Sequence, residues 1–341
     1  MNSDNSIENK IKLPLRGLGG LNILVTGGAG FIGSNLVSYL LNLQEVEKVR
    51  VLDNLATGSL KNLESFQGNK KFEFYKGDIR SYETCMEACH GMDVISHQAA
   101  LGSVPRSIHD PLTSNEVNIT GTLHIFNAAK EQKIRRVVYA ASSSTYGDHP
   151  GLPKQEDKIG NPLSPYAVTK YVNELYARVY ADVYGLELIG LRYFNVFGPN
   201  QNPAGPYAAV IPLFIKSVLD NEPPVINGDG ETSRDFTYVA NAVQANVQAL
   251  FTDNKDALNQ VYNIAFGERT TLNELFEFIK EIAGSDLAPK YGPERSGDVK
   301  HSLADISKAR ELLNYSPQVS VKEGLKEAFE WYRQQHHFAY S

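Results

Sequence analysis

The strand-like run Asn22 to Thr26 leads directly into Gly27-Gly28-Ala29-Gly30-Phe31-Ile32-Gly33, after which Ser34 to Leu43 carries apolar residues at helical spacing. A G-x-x-G-x-x-G loop at a strand-to-helix turn constrains the fold more than any other feature of this chain. Its glycines let the backbone approach a pyrophosphate and present the amides of a helix N-terminus to it. Glycine-rich turns are common, so the context carries the reading: strand, loop, helix, and then Asp53 closing the next strand twenty residues after Gly33. A carboxylate there can accept both hydroxyls of an adenosine ribose and repels a 2′-phosphate. NAD, rather than NADP, is the expected cofactor.

The strand–helix rhythm continues. Strands are expected at Asn22–Thr26, Lys48–Asp53, Phe72–Lys76, Asp93–His97, Arg136–Ala140 and Glu187–Arg192, with helical stretches between most of them. Such alternation implies an α/β fold, a Rossmann-type doubly wound parallel sheet with helices on both faces. After Tyr193 the pattern breaks into Pro- and Gly-rich loops, then resumes with a helix over Val239–Phe251, a strand over Gln260–Ala265 and a helix over Leu272–Ala283. The expected organisation is a polar arm over 1–20 and a nucleotide-binding domain over 21–192, completed by segments near 237–265. A smaller, interleaved mixed α/β domain would hold the substrate, over 193–236 and 266–335.

Composition narrows the partners. Net charge is −6, from 39 acidic and 33 basic residues, and the basic residues form no stripe, which argues against nucleic acid. The first twenty residues lack the apolar core of a signal peptide, and no apolar run could span a bilayer. A cytoplasmic location without membrane attachment is therefore expected. Cys85 and Cys89, the two cysteines, are four apart in a helix-like segment, poor geometry for a disulfide, and no His/Cys cluster joins them. They read as inert thiols, and no metal is expected.

The reactive groups follow the fifth strand. Its end, Ala141-Ser142-Ser143-Ser144-Thr145-Tyr146-Gly147, puts hydroxyls at the carboxyl edge of the sheet, where such folds bind ligands. Downstream, Ser164-Pro165-Tyr166 opens a helix on which Lys170 shares a face with Tyr166. A phenol with its ordinary pKa near 10 is a poor base at neutral pH, and a neighbouring ammonium favours the phenolate. The roles expected are Tyr166 as general acid/base, Lys170 to lower its pKa and hold the nicotinamide ribose, and Ser142 in the proton relay.

Together, TGGAGFIG, the serine-rich strand end, Tyr166-Ala-Val-Thr-Lys170 and Leu191-Arg-Tyr-Phe-Asn195 resemble the extended short-chain dehydrogenase/reductase family, from about Asn22 to Trp331. The resemblance implies that NAD is held by Gly27, Gly30, Phe31, Ile32, Gly33, Asp53, Asn54, Thr57 and Gly58. It adds Asp78, Ile79, Gln98, Ala99, Ala100, Tyr166, Lys170 and Tyr193 to that set. The loop Asn227–Phe236 with Arg234, and Arg295-Ser-Gly-Asp298, resemble the nucleotide-diphosphate contacts of UDP-galactose 4-epimerases. That implies a UDP-sugar with Arg234 and Arg295 on the pyrophosphate, Asp298 on the uridine ribose and Asn195 on a phosphate, with Ala209, Val210 and Asn227 beside it. A homodimer built from two helices per subunit is also implied.

Family members that dehydrate or decarboxylate the sugar carry a carboxylic acid just after the catalytic hydroxyl. This chain has Ser143 and Ser144 there, which leaves simple redox at C4. Ser302 stands where members confined to UDP-glucose and UDP-galactose resemble one another in carrying a tyrosine, and a serine leaves room for an N-acetyl group. The runs QAALGSVPRS and AASSSTYGDHPGLPK resemble the branch preferring N-acetylated sugars, with Gly102, Ser103 and Ser143 near the sugar. The implied activity is C4 epimerisation of UDP-N-acetylglucosamine and UDP-N-acetylgalactosamine. A 4-epimerase of UDP-glucose or UDP-glucuronate, and a non-catalytic NAD-sensing protein, remain as alternatives.

Overall fold

A computed structural model describes residues 20–203, 208–294 and 300–340. Of the expected N-terminal arm, only Gly20 falls among them. The chain runs β1 (Leu21–Thr26), α1 (Phe31–Asn42), β2 (Val46–Asp53), β3 (Phe72–Lys76), α2 (Tyr82–Cys89) and β4 (Val94–His97). Two short helices, α3 (Val104–His109) and α4 (Pro111–Asn115), precede α5 (Gly121–Glu131), β5 (Arg136–Ser142), α6 (Pro165–Tyr184) and β6 (Glu187–Tyr193). Next come β7 (Val196–Phe197), α7 (Val210–Leu219), β8 (Val225–Asn227), β9 (Ser233–Arg234), β10 (Thr237–Tyr238) and α8 (Val239–Phe251). The last elements are β11 (Gln260–Ile264), β12 (Thr270–Thr271), α9 (Leu272–Ala283), β13 (Lys290–Gly292), α10 (Ser307–Leu313) and α11 (Val321–Tyr340).

Seven strands form one parallel sheet in the order β11-β6-β5-β4-β1-β2-β3. Strand alternation sends side chains to opposite faces. Ile23 and Val25 of β1 join a core with Leu36, Val37 and Val243, while Leu24 joins another with Ile95, Phe126 and Val137. Burial on both faces explains why these strands read as apolar runs. β11 reaches the sheet from far down the chain, and the Asn259 side chain, just before it, accepts a hydrogen bond from the Leu188 amide of β6 at 2.9 Å. Three small ladders lie outside this sheet, pairing β7 with β10, β9 with β12 and β8 with β13.

Because β2 and β4 flank β1, the strand order reverses at β1, and a crevice opens beyond the carboxyl ends of β1 and β4. Cys85 and Cys89 are buried free thiols on α2, both pushed up to about 12 by burial. Among the described residues no helix is long and apolar enough to cross a membrane.

Candidate active site

The crevice is a cavity of about 590 Å³. Gly27, Gly30, Phe31, Ile32 and Gly33 form one wall, with Asp53, Asn54 and Thr57 from the end of β2 and Gln98, Ala99 and Ala100 from the end of β4. Gly27 has φ +69°, and a Cβ there would lie 2.7 Å from the Ala99 amide nitrogen. At Gly33 a Cβ would stand 2.2 Å from the Gly27 carbonyl oxygen. Both positions admit glycine alone, since the turn and the close helix–strand approach leave no space. Helix α1 starts at Gly30 without a side-chain cap, so its first-turn amides are left for a ligand.

Asp53 is buried, with Oδ2 accepting from the Ala29 amide at 3.0 Å and Oδ1 from the Leu55 amide at 2.8 Å. Burial raises its pKa, and those two amides oppose the rise. A carboxylate has about four lone-pair sites, so each oxygen keeps one for a ribose hydroxyl. Glycine cradle, uncapped helix and oriented carboxylate together fit NAD. Ile79 also lines the cavity, whereas Asp78 and Gly58 do not. Asp78 accepts from Asn54 Nδ2 at 2.8 Å and from the Arg80 guanidinium at 2.8 Å, which holds its pKa at about 2. It therefore braces Asn54 and Arg80, both of which do line the cavity. Gly58 lies against the Ala29 backbone, where the next amide, Ser59, donates to the Ala29 carbonyl at 3.0 Å.

The opposite wall carries Ser142, Tyr166, Lys170 and Tyr193. Ser164 caps α6 by accepting from the Ala167 amide at 3.1 Å, and Pro165 opens its first turn, which sets Tyr166 at the helix start. One turn on, Lys170 Nζ donates to the Ala140 carbonyl at 2.8 Å and lies 6.0 Å from the centre of the Tyr166 ring. Ser142 Oγ accepts from the Ser144 amide at 3.2 Å and from Ser144 Oγ at 2.9 Å. With both lone pairs used, the Ser142 proton is the part of that hydroxyl left to serve the Tyr166 oxygen, and the Ser142 hydroxyl lowers the Tyr166 pKa.

The electrostatics show what the expected lowering of the Tyr166 pKa by Lys170 has to work against. Burial raises the Tyr166 pKa, and the hydrogen bond from Ser142 lowers it only in part. Lys170 is itself pushed down to about 8 by burial, opposed by the Glu174 carboxylate one turn further along α6. An ammonium with that pKa is still mostly protonated at pH 7. In so dry a site desolvation disfavours the phenolate, and positive charge close by favours it.

A second cavity, of about 280 Å³, adjoins the first and shares Asn195, Val196 and Gln201 with it. It gathers Asn195, Ala209, Val210, Asn227 and Arg234 from separate parts of the sequence. Asn195 adopts φ +37° and donates through Nδ2 to the Asp235 carbonyl at 3.1 Å. Arg234 Nη1 donates to the carbonyls of Ser233 at 3.0 Å and Lys300 at 3.2 Å. Gly102 and Ser103 line the first cavity, and nothing lies within 4 Å of where a Gly102 Cβ would be. Ser143 and Ser302 line neither cavity. Ser143 opens the short turn after β5, and the Ser302 amide donates to the Ser233 carbonyl at 3.1 Å, next to Arg234. Arg295 and Asp298 lie outside the described residues.

Sequence reasoning missed Gln201. Its Nε2 donates to the Val196 carbonyl at 3.3 Å, while its buried Oε1 has no hydrogen-bond partner at the junction of the two cavities. Arg80 was also missed, although an arginine two residues past the strand-end Asp78 is a legible signal. Among the described residues, no group of three or more His, Cys, Asp or Glu could hold a metal.

The sequence signature of the NAD dependent epimerase/dehydratase family matches residues 23–265. A UDP-glucose 4-epimerase of Mycolicibacterium smegmatis is 38% identical over 312 residues, spanning 91% of this chain and 98% of that protein. The structure of a UDP-N-acetylglucosamine 4-epimerase from Methanobrevibacter ruminantium, in complex with UDP-N-acetylmuramic acid, is similar with a TM-score of 0.88 and 41% identity, covering 93% of this chain and 99% of that one. A UDP-glucuronic acid 4-epimerase from Bacillus cereus, in complex with UDP-glucuronic acid and NAD, matches with a TM-score of 0.86 and 33% identity, covering 92% and 100%.

Proposed function

The chain belongs to the NAD dependent epimerase/dehydratase family, and from that premise we propose that it interconverts UDP-N-acetylglucosamine and UDP-N-acetylgalactosamine at C4 through a 4-keto intermediate. The observation that carries the proposal is the pair of adjoining cavities, with Tyr166 on the wall of the first and Arg234 on the wall of the second. The sugar enters the first cavity. Its nucleotide diphosphate occupies the second, where Arg234 and Asn195 meet phosphate oxygens and Asn227, Ala209 and Val210 flank the nucleotide.

The glycine loop and Asp53 would hold NAD, which when bound would supply reversible hydride transfer at C4. Tyr166 removes the C4 hydroxyl proton and later restores it. Ser142 donates to the developing phenolate, and the Lys170 ammonium holds the nicotinamide ribose and favours the charged form. At the positions after Ser142, Ser143 and Ser144 offer no carboxylic acid to expel water or carbon dioxide, so the chemistry ends at C4.

Preference for the N-acetylated sugar rests on the small residues Gly102 and Ser103 on the wall of the first cavity, and on the family resemblance at Ser143 and Ser302, which line neither cavity. Purified protein incubated without added cofactor should epimerise UDP-N-acetylglucosamine with higher kcat/KM than UDP-glucose or UDP-glucuronate, as read by chromatographic separation of the epimers. Faster turnover of UDP-glucose or UDP-glucuronate would reassign the substrate, and no turnover of any UDP-sugar would favour a non-catalytic NAD-binding role.

A homodimer is part of the same proposal. Val168, Leu175, Val179 and Val183 form an exposed apolar stripe along α6, and Leu112 on neighbouring α4 is 77% exposed. A stripe of this kind is characteristic of a helix that packs against a partner. Sedimentation should give a dimer, and a monomer at micromolar concentration would count against it.

A further inference from the structure

Between β9 and β10 the chain presents Arg234 and Phe236 to the second cavity, while Asp235 between them is fully buried. Asp235 Oδ1 accepts from the amides of Phe266 and Gly267, both at 3.2 Å, and Oδ2 accepts from the Ala304 amide at 3.1 Å. Phe266 and Gly267 follow β11, a strand of the central sheet, and Ala304 ends the segment that contains Ser302. One carboxylate thus joins three parts of the chain distant in sequence. A buried charge is tolerated only when its hydrogen-bonding capacity is met, and here backbone amides meet it.

We propose that Asp235 is a positioning residue for the sugar nucleotide, clasping the wall that carries Arg234 and Asn195, and the segment that carries Ser302, to the end of β11. The proposal rests on reading the second cavity as the nucleotide-diphosphate site. The central sheet carries Ser142 at the end of β5 and Tyr193 at the end of β6, so the clasp sets the distance between the diphosphate contacts and the reacting groups. The Thr237 amide, donating to the Asn195 carbonyl at 3.2 Å, already ties this wall to the segment after β6, and the carboxylate adds the link to β11 and to the Ser302 segment. All three partners are donors, which requires an acceptor on both sides. An asparagine can accept on one side only and turns an NH2 group toward a donor on the other. Burial raises the Asp235 pKa to about 7 against the pull of these amides, as expected for a charge held by peptide groups rather than by a cation.

The test is Asp235→Asn in the full-length protein. Hydrogen exchange read by mass spectrometry should accelerate in peptides containing Phe266–Gly267 and Ala304, and remain unchanged in peptides from α1 and α6. The Kd for UDP and the KM for the UDP-sugar should each rise about tenfold or more, with kcat within about threefold and bound NAD unchanged, because the diphosphate contacts are lost equally in ground and transition states while the reacting groups stay in place. Accelerated exchange with unchanged Kd and KM would make Asp235 merely structural and overturn the proposal. Unchanged exchange would overturn the clasp itself, and a fall in kcat with KM preserved would overturn the positioning role. If the wild type fails to bind UDP, the reading of the second cavity falls, a result distinct from any failure confined to the variant.

Discussion

Tyr166→Phe is expected to leave the protein folded and loaded with NAD while lowering turnover by about 10² to 10⁴-fold, the usual cost of losing a positioned acid/base. The fold should survive because the backbone of Tyr166 keeps its own contacts: its amide donates to Ser107 Oγ at 3.0 Å and its carbonyl accepts from Thr169 Oγ1 at 2.8 Å. The hydroxyl is the group that matters. Ser142, whose lone pairs are taken by Ser144, lowers the Tyr166 pKa through its hydroxyl, and phenylalanine removes the oxygen on which it acts. Phenylalanine still fills the space of the ring on the cavity wall. Two measurements check this, kcat at saturating UDP-sugar and the ultraviolet absorbance of bound cofactor. Turnover near that of the wild type would remove Tyr166 from the mechanism, and loss of cofactor would show that the variant tests binding instead.

Ser302→Tyr should change specificity rather than abolish activity. Ser302 is half-buried, and its amide is bonded to the carbonyl of Ser233, immediately before Arg234 on the second cavity. If the side chain borders the C2 substituent, a tyrosine ring would occupy space that an N-acetyl group needs when the keto intermediate turns over. Overpacking then penalises only the larger substrate. A conflict of about 2 to 4 kcal/mol corresponds to a relative loss of roughly thirty- to several-hundred-fold on UDP-N-acetylglucosamine compared with UDP-glucose. The measurement is kcat/KM for both substrates in wild type and variant. Equal losses on both would mean general damage and would withdraw Ser302 from the sugar site.

The central sheet was legible because its strands are buried on both faces and bounded by turn residues. β3 and the helices α8 and α9 begin and end where the sequence reading places them. The small ladders were not legible: β7, β9, β10 and β12 are two residues each, too short for any periodicity to register. Gln201 escaped for a related reason. A single amide in a Pro- and Gly-rich loop has no pattern, and its importance lies in an unpartnered oxygen where two cavities meet. Lys170 shows a different limit. Spacing places it on the face of Tyr166, yet the sign of the net pKa shift depends on how dry the site is, which spacing does not encode.

The sheet order also bears on how the chain reaches its folded state. β6 is flanked by β5 on one side and by β11 on the other, and β11 lies far downstream. Until β11 has been synthesised, β6 is an edge strand with Leu188, Ile189 and Leu191 close to an open row of amides and carbonyls, the kind of edge that recruits other chains. Parallel pairing across so long a separation is slow because loop closure precedes any gain from the contact. Asn259, which bonds the Leu188 amide next to the incoming strand, works as a register mark for that late arrival. The interval between the synthesis of β6 and the docking of β11 is thus when the nascent chain is most exposed to aggregation, although in the finished sheet β11 pairs Ile189–Tyr193 and Asn259 bonds the Leu188 amide.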